Sequence, residues 1–279
     1  MGRRRYSFDE GRIARFHAEG RGTGAGADYK PWLTVQDVPS SGRTHRPHGL
    51  KTGRVHHLLS DIECDLFYIL DWSSSVIDIR EQFPLDRAAT QAIAERIGVQ
   101  HPRDTATRTP LVMTTDFLCD VMREGRRVLI ARSVKPADKL EDDRVIEKQE
   151  IERRYWGEQG VDWGIVTDAD IPATYAENIG RIHNCASVAD LAQPYPGYYA
   201  EKAALIAREV PMCTHLTLHQ FCAEMDLRLG MPPATALMLI RHLIVTRVVV
   251  CDLTQTLDYD APLTWLRPAS SGHQGRQSA

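Results

Sequence analysis

The sequence predicts a two-part protein: an α/β unit built around a strand hairpin, followed by a mostly helical unit. Three observations carry this. Ile77 and Ile79 alternate with Asp78 and Arg80, the period of a half-buried strand over 76–83. Two strand-like runs, 111–122 and 126–135, flank Glu124-Gly125, an acceptable two-residue hairpin turn. From about residue 171 the pattern changes to short helices punctuated by Pro194, Pro196 and Pro211.

The elements follow in order. A helix near 7–18 starts at Ser7, with Asp9 and Glu10 in its first turn. A Gly-rich arm then runs to about 55, so residues 1–55 form a basic N-terminal helix and arm. The α/β unit over 56–170 holds a helix at 61–72, the strand at 76–83, a helix at 87–97, the hairpin at 111–135, a helix at 141–157 and a strand at 162–167. The second unit, 171–267, reads as a helix from Thr217 to Leu229, a break at Gly230-Met231, a helix from Pro232 to Leu243 and a strand over Ile244–Cys251. That order is a helix-turn-helix followed by a strand, as in a winged helix. A base-reading second helix would be rich in Arg, Asn and Gln, whereas 232–240 is nearly all apolar, with Arg241 and His242 only near its end. This unit is therefore expected to pack or to bind protein, and 268–279 to be a disordered tail.

Composition fits a soluble, cytoplasmic chain with no membrane partner. Its 279 residues are 43% hydrophobic, which suits two domains. No apolar run nears the roughly 18 residues a membrane span needs, and Met1-Gly2-Arg3-Arg4-Arg5 is not followed by a signal-peptide core. Six cysteines without a CxxC pair read as free thiols of a reducing compartment. The net charge of −3 argues against nucleic acid, but residues 1–59 hold 11 Lys/Arg against 5 Asp/Glu, or +6, which leaves −9 for the remainder. The arm's Arg21, Lys30, Arg43, Arg46, Lys51 and Arg54 are candidate contacts to DNA phosphates, against a reading of the arm as a solvated flexible terminus.

The chemistry sits on Glu63, Asp116 and Lys135. A carboxylate, a second carboxylate on a strand and then a residue-x-Lys on the next strand is the order of a metal-dependent phosphodiesterase site. If Arg123 pairs with Arg126, Asp116 falls opposite Ser133, and Lys135 lies diagonal to Asp116 on the same face. The opposite face carries Phe117, Cys119, Val121, Val128, Ile130 and Val134, with Arg132 a misfit. Asp116 has two oxygens able to bridge two ions, Glu63 holds a second position, and the Val134 carbonyl can add a neutral oxygen. Lys135 would then stand by the scissile phosphate or the attacking water. Each has a plainer account: Ser60-x-x-Glu63 is also a capping box, and Lys135 before Pro136 is also an ordinary strand-end lysine. Glu150 on the following helix is a possible outer-shell acid, or a solvated residue among Glu147, Lys148, Arg153 and Arg154. His56 and His57 lack metal spacing, and one is expected in the core.

Long stretches resemble the TnsA endonuclease family. They include Pro31-Trp32-Leu33-Thr34-Val35-Gln36, the run Lys51 to Ser60, Asp78-Ile79-Arg80-Glu81-Gln82-Phe83-Pro84-Leu85, Thr115-Asp116-Phe117-Leu118, Val134-Lys135-Pro136-Ala137 and Ile151-Glu152-Arg153-Arg154-Tyr155-Trp156, over roughly residues 7–170. The resemblance implies a restriction-endonuclease-like catalytic domain of the PD-(D/E)xK type, with Mg²⁺ (or Mn²⁺) bound at Glu63, Asp116 and Ser133-x-Lys135, two ions per site. It implies a subunit that cuts the 5′ ends of a bacterial transposon, nucleoid-associated while it works. A TnsB-like transposase cuts the 3′ ends, and a TnsC-like AAA+ ATPase controls the pair through the C-terminal domain. The departure is Ser133, where the family's better-known pattern has Gln. Two other classes stay open: a stand-alone restriction-type nuclease, and an adaptor weakened through Ser133 that only bridges transposase and ATPase.

Overall fold

A computed structural model of the chain describes residues 7–38 and 42–269. The chain divides between Ile171 and Pro172 into two compact units.

The first unit is built on a four-stranded sheet in the order β1-β2-β3-β4: Val76–Pro84, Thr114–Arg123, Arg126–Val134 and Asp162–Val166. The first three strands are antiparallel, and β4 joins β3 in parallel. The hairpin takes the register read from its turn, since Arg123 pairs with Arg126 and Phe117 with Arg132. Glu124 and Gly125 both have positive φ (51° and 74°), the twist-matched turn that a two-residue connection requires. Both faces of β2 are buried, with Leu118 and Ala131 on one as covered as Phe117 and Cys119 on the other. Leu118 and Ala131 pack on Leu85 and on Trp156 of the helix Asp143–Glu158 (α4), which makes the crossover from β3 to β4. The misfit Arg132 is accommodated by bonding the backbone and side chain of Asp162 at the start of the edge strand β4.

Helices α1 (Glu10–Ala18), α2 (Asp61–Trp72) and α3 (Arg87–Arg96) precede α4. Asp9, not Ser7, caps α1, its side chain accepting from the Arg12 N–H at 2.7 Å. The segment between α1 and α2 is no free arm. Phe16 and Trp32 form a buried cluster with Ile13. The backbone then runs along β1, with the Tyr29 hydroxyl donating to the Glu81 carbonyl and the Trp32 N–H to that of Gln82. The glycines serve this approach: a Cβ on Gly22 (φ 78°) would come within 2.1 Å of Pro84. Arg54 and His56 finish the strap by closing on the buried Glu81 carboxylate at 2.5 and 2.7 Å, and His56 is itself fully buried against Phe67.

The second unit contains α5 (Ala173–His183), α6 (Tyr198–Glu209), α7 (Leu218–Arg228), α8 (Thr235–Val245) and a short pair, β5 (Val249–Val250) with β6 (Arg267–Pro268). Thr217 and Gln220 form a reciprocal capping box at α7. The start of α8 is capped from α7 instead, by Asp226 accepting the Ala236 N–H at 2.7 Å. The strand expected over Ile244–Cys251 is mostly helix and turn. Ile244 and Val245 are buried on the last turn of α8, so tertiary burial overrides their β preference. Pro268, expected in the tail, pairs in β6, and Ala269 bonds Val248; the rest of that tail, 270–279, lies outside the described residues.

Burial works against the charge of Glu81, yet the Arg54 and His56 hydrogen bonds outweigh it and hold the carboxyl at about 2, below its ordinary 4.5. Ionised Glu81 therefore stabilises the fold above about pH 4.5, and that contribution is lost as pH falls from there through about 2. Replacing Arg54 by Met strands this buried carboxylate and is expected to cost about 3–5 kcal/mol in urea denaturation at pH 7. In Glu81→Gln the fall in stability between pH 5 and 2 should flatten.

Candidate active site

The site forms where the hairpin register delivers Asp116 to the end of β3. Asp116 Oδ2 accepts the Val134 N–H at 2.6 Å, the Lys135 ammonium at 2.9 Å and the Ser133 hydroxyl at 3.4 Å. Lys135 is pinned from its other side as well, because its N–H donates to Val166 on β4 and its Nζ to the Val134 carbonyl. Pro136 then offers no N–H, and β3 stops.

Glu63 arrives from the first turn of α2. Its carboxylate accepts the Leu59 N–H at 3.0 Å and the Ser60 hydroxyl at 3.1 Å, while Ser60 Oγ caps the Glu63 N–H. Cap and site are thus one arrangement: the bonds that start the helix also aim the carboxylate. Between Glu63 and Asp116 stands Gln82 of β1, its Nε2 3.4 Å from an oxygen of each. Glu63 and Asp116 are 6% and 8% exposed, and the Lys135 side chain 29%. The three residues singled out in sequence therefore converge, with Ser133 beside them. Burial, reinforced by the Asp116 charge, pushes Glu63 up to about 7. Burial disfavours the Lys135 charge too, but Asp116 prevails and raises its pKa, so it stays an ammonium at neutral pH.

A further acid, passed over in the sequence, belongs here. Glu152 on α4 is 2% exposed, accepts from the Thr115 hydroxyl at 2.8 Å and the Trp163 indole at 3.1 Å, and is pushed to about 7 by burial and then by Asp116. Glu150, the acid singled out on this helix, instead pairs with Arg153 and Arg154 at 2.7 and 2.6 Å on the outer surface, and Arg153 foremost lowers it to about 2. The signal was present: Val145, Gln149, Glu152 and Trp156 recur at helical spacing on the buried face, whereas Glu150 has arginines three and four residues on.

The arm's cations divide. Arg21 lies over the Phe16 ring and bonds Asp37 at 2.6 Å, and Arg54 bonds Glu81, so both charges are engaged in holding the strap. Lys30 reaches the Glu19 carbonyl, Arg43 is exposed beside Asp61, Arg46 is exposed, and Lys51 is half-buried.

The donor set suits a hard divalent cation: two carboxylates in a buried space, close enough to raise one pKa, with neutral oxygens around them. Among the described residues no group of three or more His, Cys, Asp or Glu converges as a metal cage, so neutral oxygens would have to complete such a shell.

Fold and site together define a class, an α/β protein with a buried carboxylate–lysine centre at the end of its sheet. Residues 73–168 match the TnsA-like endonuclease N-terminal family, and residues 170–253 the TnsA endonuclease C-terminal family. The chain is 52% identical over 184 residues to the transposon Tn7 transposition protein TnsA of Escherichia coli, a match covering 66% of each chain, just under two thirds of that relative. This chain belongs to the TnsA endonuclease family.

Glu152 carries its own pH signature. A carboxyl raised from 4.5 to about 7 favours the fold fully below pH 4.5, and that advantage disappears as pH rises from 4.5 through 7. Glu152→Gln should remove about 3 kcal/mol of this decline, read from denaturation midpoints of ion-free protein at pH 5 and 8.

Proposed function

We propose that this protein is a Mg²⁺- or Mn²⁺-dependent DNA endonuclease, the subunit of a heteromeric transposase that hydrolyses the phosphodiester at the 5′ ends of a transposon. The observation that carries the proposal is the convergence of Glu63, Asp116 and Lys135, through hydrogen bonds of 2.9 to 3.4 Å, at one end of the sheet. The antiparallel β1-β2-β3 sheet, extended by a parallel β4 through a crossover helix, supports a restriction-endonuclease-like reading of the first unit.

A divalent ion bound by Glu63 and Asp116 supplies charge neutralisation and an acidified water. The protein does the remainder. Asp116 is held by Val134 and Lys135, so its carboxylate cannot swing away. Lys135 keeps its proton and presents it to the phosphate or the attacking water. Glu152, near 7, can hold or release a proton behind Asp116. Ser133 is buried and turned onto Asp116, contributing a hydrogen bond at the place where the family's pattern has Gln.

The second unit is proposed as the contact for a TnsC-like ATPase, with a TnsB-like transposase as partner at the ends. Its winged-helix-like reading rests on α7, α8 and the β5–β6 pair. Leu239, Ile240 and Leu243 are buried, so α8 is a core helix rather than a reader of bases. No described helix is long and apolar enough to cross a membrane, and a partner in DNA transposition would work in the cytoplasm. Exposed Lys30, Arg43 and Arg46, with Lys51, remain the proposed phosphate contacts. The intact Asp116–Lys135 pair disfavours the adaptor reading.

In a reconstituted excision reaction with Mg²⁺, Asp116→Ala and Lys135→Ala are expected to lower 5′-strand cutting by about 100- to 1,000-fold or more, leaving 3′ cutting by the partner. Glu150→Gln should cut at the wild-type rate. Undiminished 5′ cutting by Asp116→Ala would refute the assignment.

A further inference from the structure

Gln82 is set into the site in a way that its place on a strand does not require. It is 2% exposed and has φ 48°, the left-handed region that costs a non-glycine residue roughly 1–2 kcal/mol. The flanking pairs Glu81–Phe117 and Phe83–Thr115 stay in step across it, so the strain lies at this one residue, opposite Asp116. The backbone is held there by the Trp32 N–H, which bonds the Gln82 carbonyl at 3.1 Å. Strain that the surroundings enforce in this manner is characteristic of functional positions.

The side chain is also fixed. Nε2 lies 3.4 Å from both Glu63 Oε2 and Asp116 Oδ1, and Oε1 accepts from the Thr114 hydroxyl at 3.1 Å. A carboxamide shows donors on one edge and an acceptor on the other, and rotating it by a half-turn exchanges them. Thr114 tolerates either state, because a hydroxyl donates or accepts. The NH₂ edge lies between the two carboxylates. With a cation there, a donor edge would be repelled and the oxygen edge drawn in.

We propose that Gln82 is the neutral oxygen ligand of the divalent cation held by Glu63 and Asp116, its carboxamide turning over as the ion binds. This rests on the reading of the site as a divalent-cation centre. Only two carboxylates meet at this point. The Val134 carbonyl accepts from Lys135 and the Ser133 hydroxyl donates to Asp116, whereas the Gln82 carboxamide lies within 3.4 Å of both carboxylates and is the neutral group placed to add an oxygen to the shell.

The test is Mn²⁺ binding to the full-length protein, read as free Mn²⁺ by electron paramagnetic resonance, with folding checked by circular dichroism. Wild type should bind and Asp116→Ala should not. Gln82→Met, similar in length but without the oxygen, should weaken binding by about ten-fold or more. Gln82→Glu, which adds a charged oxygen at the same place, should tighten it several-fold. Should Gln82→Met fail to fold, Gln82→Glu decides alone. If both variants bind within two-fold of wild type, Gln82 is only a strut and the proposal falls while the cation site stands. If wild type binds no Mn²⁺, the cation site and the proposal fall together.

Discussion

Two buried carboxylates confined to one small space are the constraint on which the first unit turns. Glu63 and Asp116 repel each other, and the fold keeps them together by surrounding them with donors: the Leu59 and Val134 amides, the Ser60 and Ser133 hydroxyls, the Gln82 amide and the Lys135 ammonium. A single ammonium balances only one of two charges. Burial first, and then the unbalanced Asp116 charge, raise the Glu63 carboxyl to about 7. A divalent cation would relieve this burden, so the proposed ion would draw its affinity from the same repulsion.

Holding such a cluster requires a rigid floor. Glu81 and Gln82 are neighbours on β1. Glu81 is clamped by Arg54 and His56, and Gln82 meets the two carboxylates. The N-terminal strap crosses β1 at Tyr29, Trp32 and Arg54, which explains why a basic, Gly-rich stretch is packed rather than solvated. On the other side of β2, Glu152 is fixed by Thr115 and Trp163, and Trp156 donates to Thr115 at 2.7 Å. The site is thus braced by ion pairs on one side and indoles on the other.

What the sequence revealed depended on how local the determinant was. The Asp116–Ser133–Lys135 alignment follows from a two-residue turn, whose geometry fixes every pair behind it, and it was legible. The place of Gln82 was not, although the pairs on either side of it stay in step. Helix α3 intervenes between β1 and β2, so no turn sets that register. Arg21 and Arg54 looked like phosphate contacts because composition counts charges without their partners, and Asp37 and Glu81 lie 16 and 27 residues away. Glu152 was readable from helical spacing, but the surrounding charge run drew attention to Glu150. In the second unit, Ile244 and Val245 carry a β preference that burial on α8 overrules.

The TnsA endonuclease family supplies the setting, and the geometry supplies a chemical reason for it: a sheet end that gathers negative charge beside one lysine is suited to a cation and a phosphate. The most direct measurement is an anomalous difference map from crystals of the full-length protein soaked in Mn²⁺. The account predicts a peak between Glu63 and Asp116, about 2.0–2.3 Å from an oxygen of each. A well-ordered site with both carboxylates in place and no peak between them, in crystals soaked to saturating Mn²⁺, would contradict it.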